Sequence, residues 1–284
     1  MISKKILLTI CLLSTLNSGC AKSVDSNNNE NSTSQQQPHS GGLNVNEIRS
    51  KAEKGDSESQ YNMGVIYTDG YEGIQPNIDE AIKWYTLAAN KGNVNAQYNL
   101  GLLYTGDQHR KPDYTKAKFW FDKAASQGDI ASMNNLGTIF KDGLDVEINY
   151  GKAFHYFHKA ASAGYSVAQF NLSNMYFDGQ GTPIDKTEGL KWLTKAAEQN
   201  DIDAQYNLGL AYLIGDGIKQ DYSQAYKWFL EAANQGENGA QYHLGKMYKD
   251  GLGVDKNLSI SKIWFEKSAQ AGNPLASKEL SQLK

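Results

Sequence analysis

The sequence predicts an all-α fold, a right-handed α-solenoid of antiparallel helical pairs with six repeats and a half-repeat at each end. Three observations predict this fold: a periodic column of aromatic residues, two periodic columns of small residues, and helical spacing of the apolar residues between them. The aromatic column has a step of 36 residues and consists of Trp84, Trp120, Tyr156, Trp192, Trp228 and Trp264. A constant period of this length is typical of stacked repeats that bury a continuous core between neighbours.

Two columns of small residues follow nearly the same period. The first column consists of Gly64, Gly101, Gly137, Ser173, Gly209 and Gly245, and the second of Gly92, Gly128, Gly164, Asn200, Gly236 and Gly272. A glycine can end a helix in the left-handed conformation, so the second column predicts where the second helix of each repeat ends. Glycine inside a helix costs about 1 kcal/mol relative to alanine. The first column therefore predicts a close approach of the paired helix, with its small residues Ala124 and Ala125.

The apolar residues of each repeat form two helical patterns. In the second repeat, the first pattern has Ala96, Leu100, Leu103 and Tyr104 at positions i, i+4, i+7 and i+8. The second pattern has Ala117, Trp120, Phe121 and Ala124 at positions i, i+3, i+4 and i+7. Each spacing places the apolar residues on one face of a helix. Each repeat is therefore predicted to be a helical pair.

The two ends of the repeat region are predicted to be half-repeats. Residues 48–55 match the end of a second helix, and residues 273–284 match a first helix. The last segment has charged residues at its expected outer positions, namely Lys278, Glu279 and Lys284. We expect these charges to cap the stack, because an uncapped end exposes an apolar face.

The N-terminal residues differ in composition from the repeats. Lys4 and Lys5 precede an apolar run at residues 6–16, which is typical of a secretory signal and is short for a membrane span. Residues 1–19 are therefore predicted to be a signal peptide. Residues 20–44 are almost free of large apolar groups, and we expect a disordered polar tether. Residues 45–284 are the predicted solenoid.

The end of the signal, Ser18-Gly19-Cys20, resembles the lipobox of bacterial lipoproteins, with Asn17 in place of the usual Leu. The resemblance implies that Cys20 is the acylated first residue of the mature chain. Residue 21 is Ala, whereas lipoproteins that are retained at the inner membrane usually have Asp after the cysteine. The resemblance therefore implies an outer-membrane lipoprotein facing the periplasm. The other cysteine, Cys11, lies within the signal, which leaves the mature chain without an internal disulfide.

The repeated unit A-Q-Y-N-L-G-x-x-Y, followed by D-Y-x-K-A-x-x-W-x-x-K-A-A-x-Q-G, resembles the Sel1-like repeat, a relative of the tetratricopeptide repeat. The resemblance extends from about residue 48 to the C-terminus. It implies a scaffold that binds a partner. Some bacterial members carry disulfides that link the two helices of each repeat, and this chain has no cysteines for them.

The sequence contains no motif typical of an enzyme, and we expect neither catalysis nor a cofactor. His155 and His158 have a spacing at which two side chains can share one helix face, but no third ligand is near them in sequence. The Asp-Gly pairs, such as Asp142-Gly143, are better explained as turns than as calcium loops. The net charge of −3 and the absence of a basic block argue against nucleic acid as a partner. We therefore predict no metal site, and we expect a monomer.

The first helix of each repeat is predicted to line a concave groove. A polar column on these helices consists of Asn62, Asn99, Asn135, Asn171, Asn207 and His243. An asparagine amide both donates and accepts, so it suits the main chain of a bound peptide. The alternative is that these amides bond to backbone in the neighbouring repeat and form a structural ladder.

Two further columns vary from repeat to repeat, as a recognition surface would. Three residues beyond the polar column lie Val65, Leu102, Thr138, Asn174, Leu210 and Lys246; six residues beyond it lie Thr68, Thr105, Lys141, Phe177, Leu213 and Lys249. From these columns, the predicted partner-binding residues are Leu102, Asn174, Phe177, Leu210, Leu213 and Lys246. Phe177, Leu210 and Leu213 would mark a contact site if they formed an exposed apolar patch.

Three functions are compatible with this sequence. The first is a periplasm-facing, lipid-anchored scaffold that binds a protein or peptide in its groove. The second is an immunity protein that neutralises a secreted effector acting in the periplasm, such as a lipase. The third is an envelope protein that binds or acts on peptidoglycan or another glycan. The third would need surface aromatic residues, and the tryptophans here are predicted to lie in a packing column.

Overall fold

A computed structural model describes residues 44–107 and 110–283. The predicted signal peptide, the acylated Cys20 and the tether up to residue 43 lie outside the described residues, as does Lys284. These predictions therefore stay predictions. The chain divides into two compact units, Met1–Gln127 and Gly128–Lys284.

The described part of the N-terminal unit contains five helices. They are α1 (Val45–Glu53), α2 (Ser57–Asp69), α3 (Ile78–Asn90), α4 (Val94–Tyr104) and α5 (Tyr114–Ser126). We call the first helix of each repeat the A helix and the second the B helix. In this unit α2 and α4 are A helices, α3 and α5 are B helices, and α1 is the predicted half-repeat.

The described part of the C-terminal unit contains nine helices. They are α6 (Ile130–Asp142), α7 (Tyr150–Ser162), α8 (Ser166–Asp178), α9 (Lys186–Glu198), α10 (Ile202–Ile214), α11 (Tyr222–Asn234), α12 (Asn238–Asp250), α13 (Leu258–Gln270) and α14 (Pro274–Gln282). A and B helices alternate from α6 to α13, and α14 is the second half-repeat. Beyond one isolated bridge between Tyr71 and Ile74, the described residues form no β-structure. The predicted all-α solenoid of helical pairs is confirmed.

Most helices begin at a side chain that satisfies the free amides of the first turn. Asp113, for example, accepts a hydrogen bond from the amide of Lys116 at 3.0 Å, and Asn, Asp or Glu does the same at every other described helix except α8. Such caps stabilise a helix by about 1 kcal/mol each. The second small-residue column has positive φ throughout, including +65° at Asn200. The predicted ends of the B helices are therefore confirmed. None of the helices described is long and apolar enough to cross a membrane.

The first small-residue column lies against an aromatic ring of the paired B helix. A Cβ atom on Gly101 would lie 2.4 Å from Cε1 of Phe121, and one on Gly209 would lie 2.7 Å from Cδ1 of Phe229. The close approach predicted from the sequence is present, but its assignment to the Ala124–Ala125 step was wrong. The ring one residue after the aromatic column makes the contact instead.

The fourth repeat departs from this contact at both positions. Ser173 replaces the glycine, and Leu193 replaces the aromatic residue. Both side chains are buried. The smaller aliphatic side chain leaves room for a Cβ atom, so the two substitutions compensate each other.

The aromatic column packs against the preceding helical pair. Trp120 belongs to the same buried cluster as Ala81 and Ala88 of α3, and Trp228 belongs to that of Leu190 and Ala197 of α9. The column therefore buries the boundary between consecutive repeats within each unit.

A buried glutamine column forms a hydrogen-bonded ladder between neighbouring repeats. Its members donate from Nε2 to an alanine carbonyl eight residues earlier, at the end of the preceding helix: Gln60 to Ala52, Gln97 to Ala89, Gln169 to Ala161, Gln205 to Ala197 and Gln241 to Ala233. Structural ladders of this kind hold stacked elements in register. The ladder that the sequence suggested for the asparagine column is thus formed by glutamine.

The glutamine ladder extends to a second glutamine in three repeats. Nε2 donates to Oε1 in the pairs Gln127–Gln97 at 2.7 Å, Gln199–Gln169 at 2.8 Å and Gln235–Gln205 at 2.8 Å. In the sixth repeat the donor position is Ala271, and the buried Oε1 of Gln241 accepts no hydrogen bond from the described residues. A buried acceptor without a donor costs stability.

The C-terminal half-repeat is only partly the expected polar cap. Lys278 is exposed, as predicted. Glu279 instead points towards α12, where its carboxylate lies 2.5 Å from Nζ of Lys249 and 3.7 Å from Nζ of Lys246. These ion pairs hold α14 against α12. The sequence predicted an outer, capping position for Glu279, and that prediction was wrong.

The glycine–ring contact predicts a compensated pair of substitutions. Gly101→Ser alone should lower the free energy of unfolding by about 1–3 kcal/mol, because the new side chain meets the ring of Phe121. The double variant Gly101→Ser/Phe121→Leu, which copies the fourth repeat, should lose less than the sum of the two single variants. Urea unfolding followed by circular dichroism measures all four proteins, and strict additivity would contradict the contact.

The incomplete ladder predicts a stabilising substitution. Ala271→Gln should supply a donor to Oε1 of Gln241 and raise the free energy of unfolding by about 0.5–1.5 kcal/mol. Ala163→Gln is the matched control, because Ala163 occupies the same position in the third repeat, where Met133 stands in the glutamine column. Thermal and urea unfolding should show a gain for the first variant and none for the second.

Candidate partner-binding surface

The polar column lies on the A helices, but its side chains are not freely exposed. Asn62, Asn99, Asn171, Asn207 and His243 are half-buried. Asn135 is buried, with 9% of its surface exposed. Whether these residues bind a partner stays a prediction, and Asn135 is the member least able to reach one.

Several amides of the polar column have partners within the fold. Nδ2 of Asn99 donates to the hydroxyl of Tyr85 at 3.2 Å, and Nδ2 of Asn207 donates to the carbonyl of Asp203 at 2.7 Å. Nδ2 of Asn171 donates to Oδ1 of Asn134 at 3.0 Å. These bonds are not the regular bonds to neighbouring backbone that the alternative predicted. Asn207 is held within its own repeat, whereas Asn99 and Asn171 are each held by a side chain of the preceding repeat.

His243 differs from the rest of the column in having an aromatic, titratable ring. Its ring stacks on Phe229 with a centroid distance of 4.9 Å and an interplanar angle of 8°. Burial, together with the charge of Lys246, lowers the pKa of His243 from 6.5 to about 4. Tyr206 and Tyr242 also flank the ring. The imidazole is therefore neutral at neutral pH and behaves as a packing group.

The side chains of the two variable columns are only partly exposed. All twelve of their members are half-buried. Leu210 and Leu213 pack at the edge of the cluster around Phe229. The ring of Phe177 packs on α9, where a Cβ atom added to Gly189 would lie 3.2 Å from it. The three apolar residues therefore do not form the fully exposed patch that the sequence allowed.

The most exposed apolar residue on these A helices was missed by the sequence analysis. Ile214 ends α10 with 50% of its surface exposed. It lies four residues after Leu210, so the two side chains share one helix face. The equivalent residue is Asp142 in α6, Asp178 in α8 and Asp250 in α12. An isoleucine in a column that is otherwise aspartate in the C-terminal unit is the sequence signal that could have identified this residue. Ile214, Leu210 and Leu213 form what we call the α10 ridge.

A cleft on the B-helix side was also missed. It has a volume of about 550 Å³ and lies between α9 and the loop that follows α10. Its lining residues are Thr187, Glu188, Leu190, Lys191, Trp192, Thr194, Lys195, Gly217 and Ile218. The sequence assigned every tryptophan to packing, and Trp192 does pack against the buried cluster around Phe157. It is also half-buried, so part of its ring forms the wall of the cleft.

The weak metal candidates stay unsupported by the geometry. His155 and His158 are exposed, and Nδ1 of His158 lies 3.5 Å from the hydroxyl of Ser162. In the part of the chain that the structure describes, no group of three His, Cys, Asp or Glu side chains is placed to hold a metal ion.

Comparison with known families identifies the repeat. The sequence pattern of the family described as the Sel1 repeat matches residues 57–93, 94–129, 130–165, 166–201, 202–237 and 239–273. Each match except the last begins at the first residue of an A helix. A comparison with curated proteins finds no match.

Two solved structures share both fold and sequence with this chain. The protective antigen c5321, present in uropathogenic Escherichia coli strains and displaying an SLR fold, is 30% identical with a TM-score of 0.80; the match covers 85% of this chain and 52% of that one. A Sel1 repeat protein from Oxalobacter formigenes is 34% identical with a TM-score of 0.78, over 84% of this chain and 68% of that one. The chain thus spans about half the length of the first.

A weaker likeness is to the immunity protein Pa5087 from Pseudomonas aeruginosa. It is 18% identical with a TM-score of 0.48, over 77% of this chain and 83% of that one. A likeness at this level supports no argument about function.

The environment of His243 predicts a pH dependence of stability. Because folding lowers its pKa, the contribution of His243 is complete above pH 6.5 and is lost as the pH falls towards 4. The loss should be on the order of 2 kcal/mol. Asp201 acts in the opposite sense, since burial raises its pKa to about 6.

The effect of His243 is isolated by the variant His243→Asn, which restores the residue of the other five repeats. The difference in unfolding free energy between the native chain and this variant should change between pH 7 and pH 4.5, with the native chain losing more. Asp201 is common to both proteins and cancels. A constant difference over this range would contradict the burial of a neutral imidazole.

Proposed function

Because the chain belongs to the Sel1 repeat family, we propose that it is an interaction scaffold that binds a protein or peptide partner along the A helices of its C-terminal unit. The observation that carries this proposal is variation on a constant backbone. The helices α8, α10 and α12 have equal length and the same buried alanine, glutamine and leucine positions. One half-buried position is constant, with Tyr176, Tyr212 and Tyr248, whereas the two variable columns differ in all three helices, so the repeats share a fold and differ over part of its surface.

The α10 ridge is the centre of the proposed surface. Leu210, Leu213 and Ile214 are apolar, whereas the equivalent residues of α12 are Lys246, Lys249 and Asp250. Apolar side chains that are partly accessible at the centre of a polar surface are typical anchor points for a partner. The lysines of α12 are held by Glu279 and Asp250, so α12 offers a polar border to the ridge.

We further propose that the mature chain begins at an acylated Cys20 and faces the periplasm from the outer membrane. This proposal is supported by the lipobox-like sequence and by the polar composition of residues 21–44. A tether of about 24 residues would span roughly 25–30 Å on average. That distance would hold the repeats clear of the membrane surface.

Site-specific photo-crosslinking tests the partner surface in cells. The full chain is expressed with p-benzoylphenylalanine in place of Asn174 or Ile214, and the matched control carries it in place of Lys227, an exposed residue on the B helix α11. We expect the two A-helix positions to give the same stoichiometric protein adduct and the control to give none. Incorporation of radioactive palmitate in the same preparation reports on Cys20.

The adduct also discriminates between the functions. A captured secreted enzyme would favour an immunity protein, whereas an assembly or secretion component would favour an envelope scaffold. If neither A-helix position gives an adduct and purified peptidoglycan sediments the chain, the partner surface proposed here is wrong.

A further inference from the structure

The cleft on α9 is not explained by the proposed surface, because it lies on a B helix. It has a volume of about 550 Å³ and is a groove open to solvent rather than an enclosed cavity. One wall is the outer side of α9, including Trp192 and Thr194, and the other is Gly217 and Ile218 of the following loop. Gly217 is required here, since its φ is +72° and an added Cβ atom would lie 3.0 Å from Cβ of Lys186.

The tryptophan of the cleft is one of three that are partly accessible. Trp120 and Trp228 are only 8% and 9% exposed, whereas Trp84, Trp192 and Trp264 are half-buried. The ring of Trp192 lies next to His158 with a centroid distance of 6.1 Å. The position two residues after the tryptophan is Thr194 here, as it is Thr86 in the first repeat, and Leu230 in the next repeat. The shorter side chain leaves room beside the ring.

The cleft contains one cation that no carboxylate of the described residues neutralises. Lys191 lies 2.5 Å from Glu188, and the adjacent Lys186 lies 2.5 Å from Asp216. Lys195 has no such ion pair, and its Nζ lies 4.0 Å from the centroid of the Trp192 ring. This cation–π contact positions the ammonium group at the wall of the cleft.

The remaining lining supplies two kinds of contact. The hydroxyls of Thr187 and Thr194 can donate hydrogen bonds, while Leu190, Trp192 and Ile218 form an apolar wall. A ligand that fits this lining has a single negative charge beside an apolar group. A dianion such as phosphate would call for a second free cation, and the other two lysines are already paired.

We propose that this cleft binds a carboxylate next to an apolar side chain on a polypeptide, as in an acidic–aliphatic segment of a partner protein. The inference rests on the proposed function in taking the ligand to be a protein. It assigns a second contact, on the opposite type of helix from the α10 ridge. The carboxylate pairs with Lys195 and the threonine hydroxyls, and the neighbouring apolar side chain packs against Leu190 and Ile218.

The test is a methyl NMR titration of the full chain with blocked dipeptides. The probe is acetyl-Leu-Asp-amide, its neutral isostere is acetyl-Leu-Asn-amide, and inorganic phosphate is the third ligand. We expect the first probe to shift the methyl resonances of Ile218 and Leu190, and to bind at least fivefold more tightly than the isostere. Phosphate should cause smaller shifts at the same concentration.

Two variants locate the effect. Lys195→Gln should weaken binding of the acidic probe at least fivefold. Lys267→Gln should leave it unchanged, because Lys267 makes the same contact with its own tryptophan, 4.4 Å from the centroid of Trp264, and lies outside the cleft. Equal binding of the two dipeptides, or no effect of Lys195→Gln, would overturn the proposal. Tighter binding of phosphate than of the acidic dipeptide would also overturn it, and would indicate a phosphorylated ligand instead.

The outcome is separable from that of the partner surface. Adduct formation at Asn174 or Ile214 does not depend on Lys195. If the native chain forms the adducts but does not bind the acidic probe, only the cleft proposal is refuted. Absence of adducts with intact probe binding refutes the A-helix surface alone.

Discussion

The contact between a helix backbone and an aromatic ring sets the distance between the two helices of every repeat except the fourth. At Gly101, Gly137, Gly209 and Gly245 a Cβ atom would lie within 2.4–2.7 Å of a ring atom on the paired helix. The ring fills the space that a side chain would need, so the two helices pack at the distance of backbone and ring. The glutamine ladder is a separate constraint between repeats, since Gln205 still bonds to Ala197 of the fourth repeat, which lacks the glycine–ring contact.

The period was the strongest signal in the sequence, and it predicted the helical pairs, the half-repeats and the glycine helix ends. It could not identify which residue each column contacts. A column such as Gly101 shows that something lies close, but both Phe121 and Ala124 recur with the same period. The same ambiguity assigned a structural ladder to asparagine, although the adjacent glutamine column forms it. When two columns have the same period, which of them makes a given contact depends on the direction in which each side chain leaves the helix.

Local departures from the repeat were the second signal, and most of their meaning was missed. Asn134 replaces an aromatic residue of its column and is buried, and it accepts the hydrogen bond of Asn171. Phe177 is large where other repeats have smaller or charged side chains, and it packs on Gly189, where other repeats have alanine or serine. Each departure has a partner elsewhere in the fold. A single residue that departs from the repeat suggests a function when it is considered alone. Two departures that compensate each other are explained by packing.

This distinction sharpens the case for the α10 ridge. Ile214 interrupts an acidic column, and no other residue changes to cover it, since half of its surface stays exposed. The cleft on α9 is not such a departure, because Lys195 and Thr194 have counterparts at Lys267 and Thr86, and what marks it is its lining. An uncompensated departure leaves apolar area uncovered by the fold itself, and a bound molecule would cover it. In a repeat protein such positions are the most direct indication of where a partner binds.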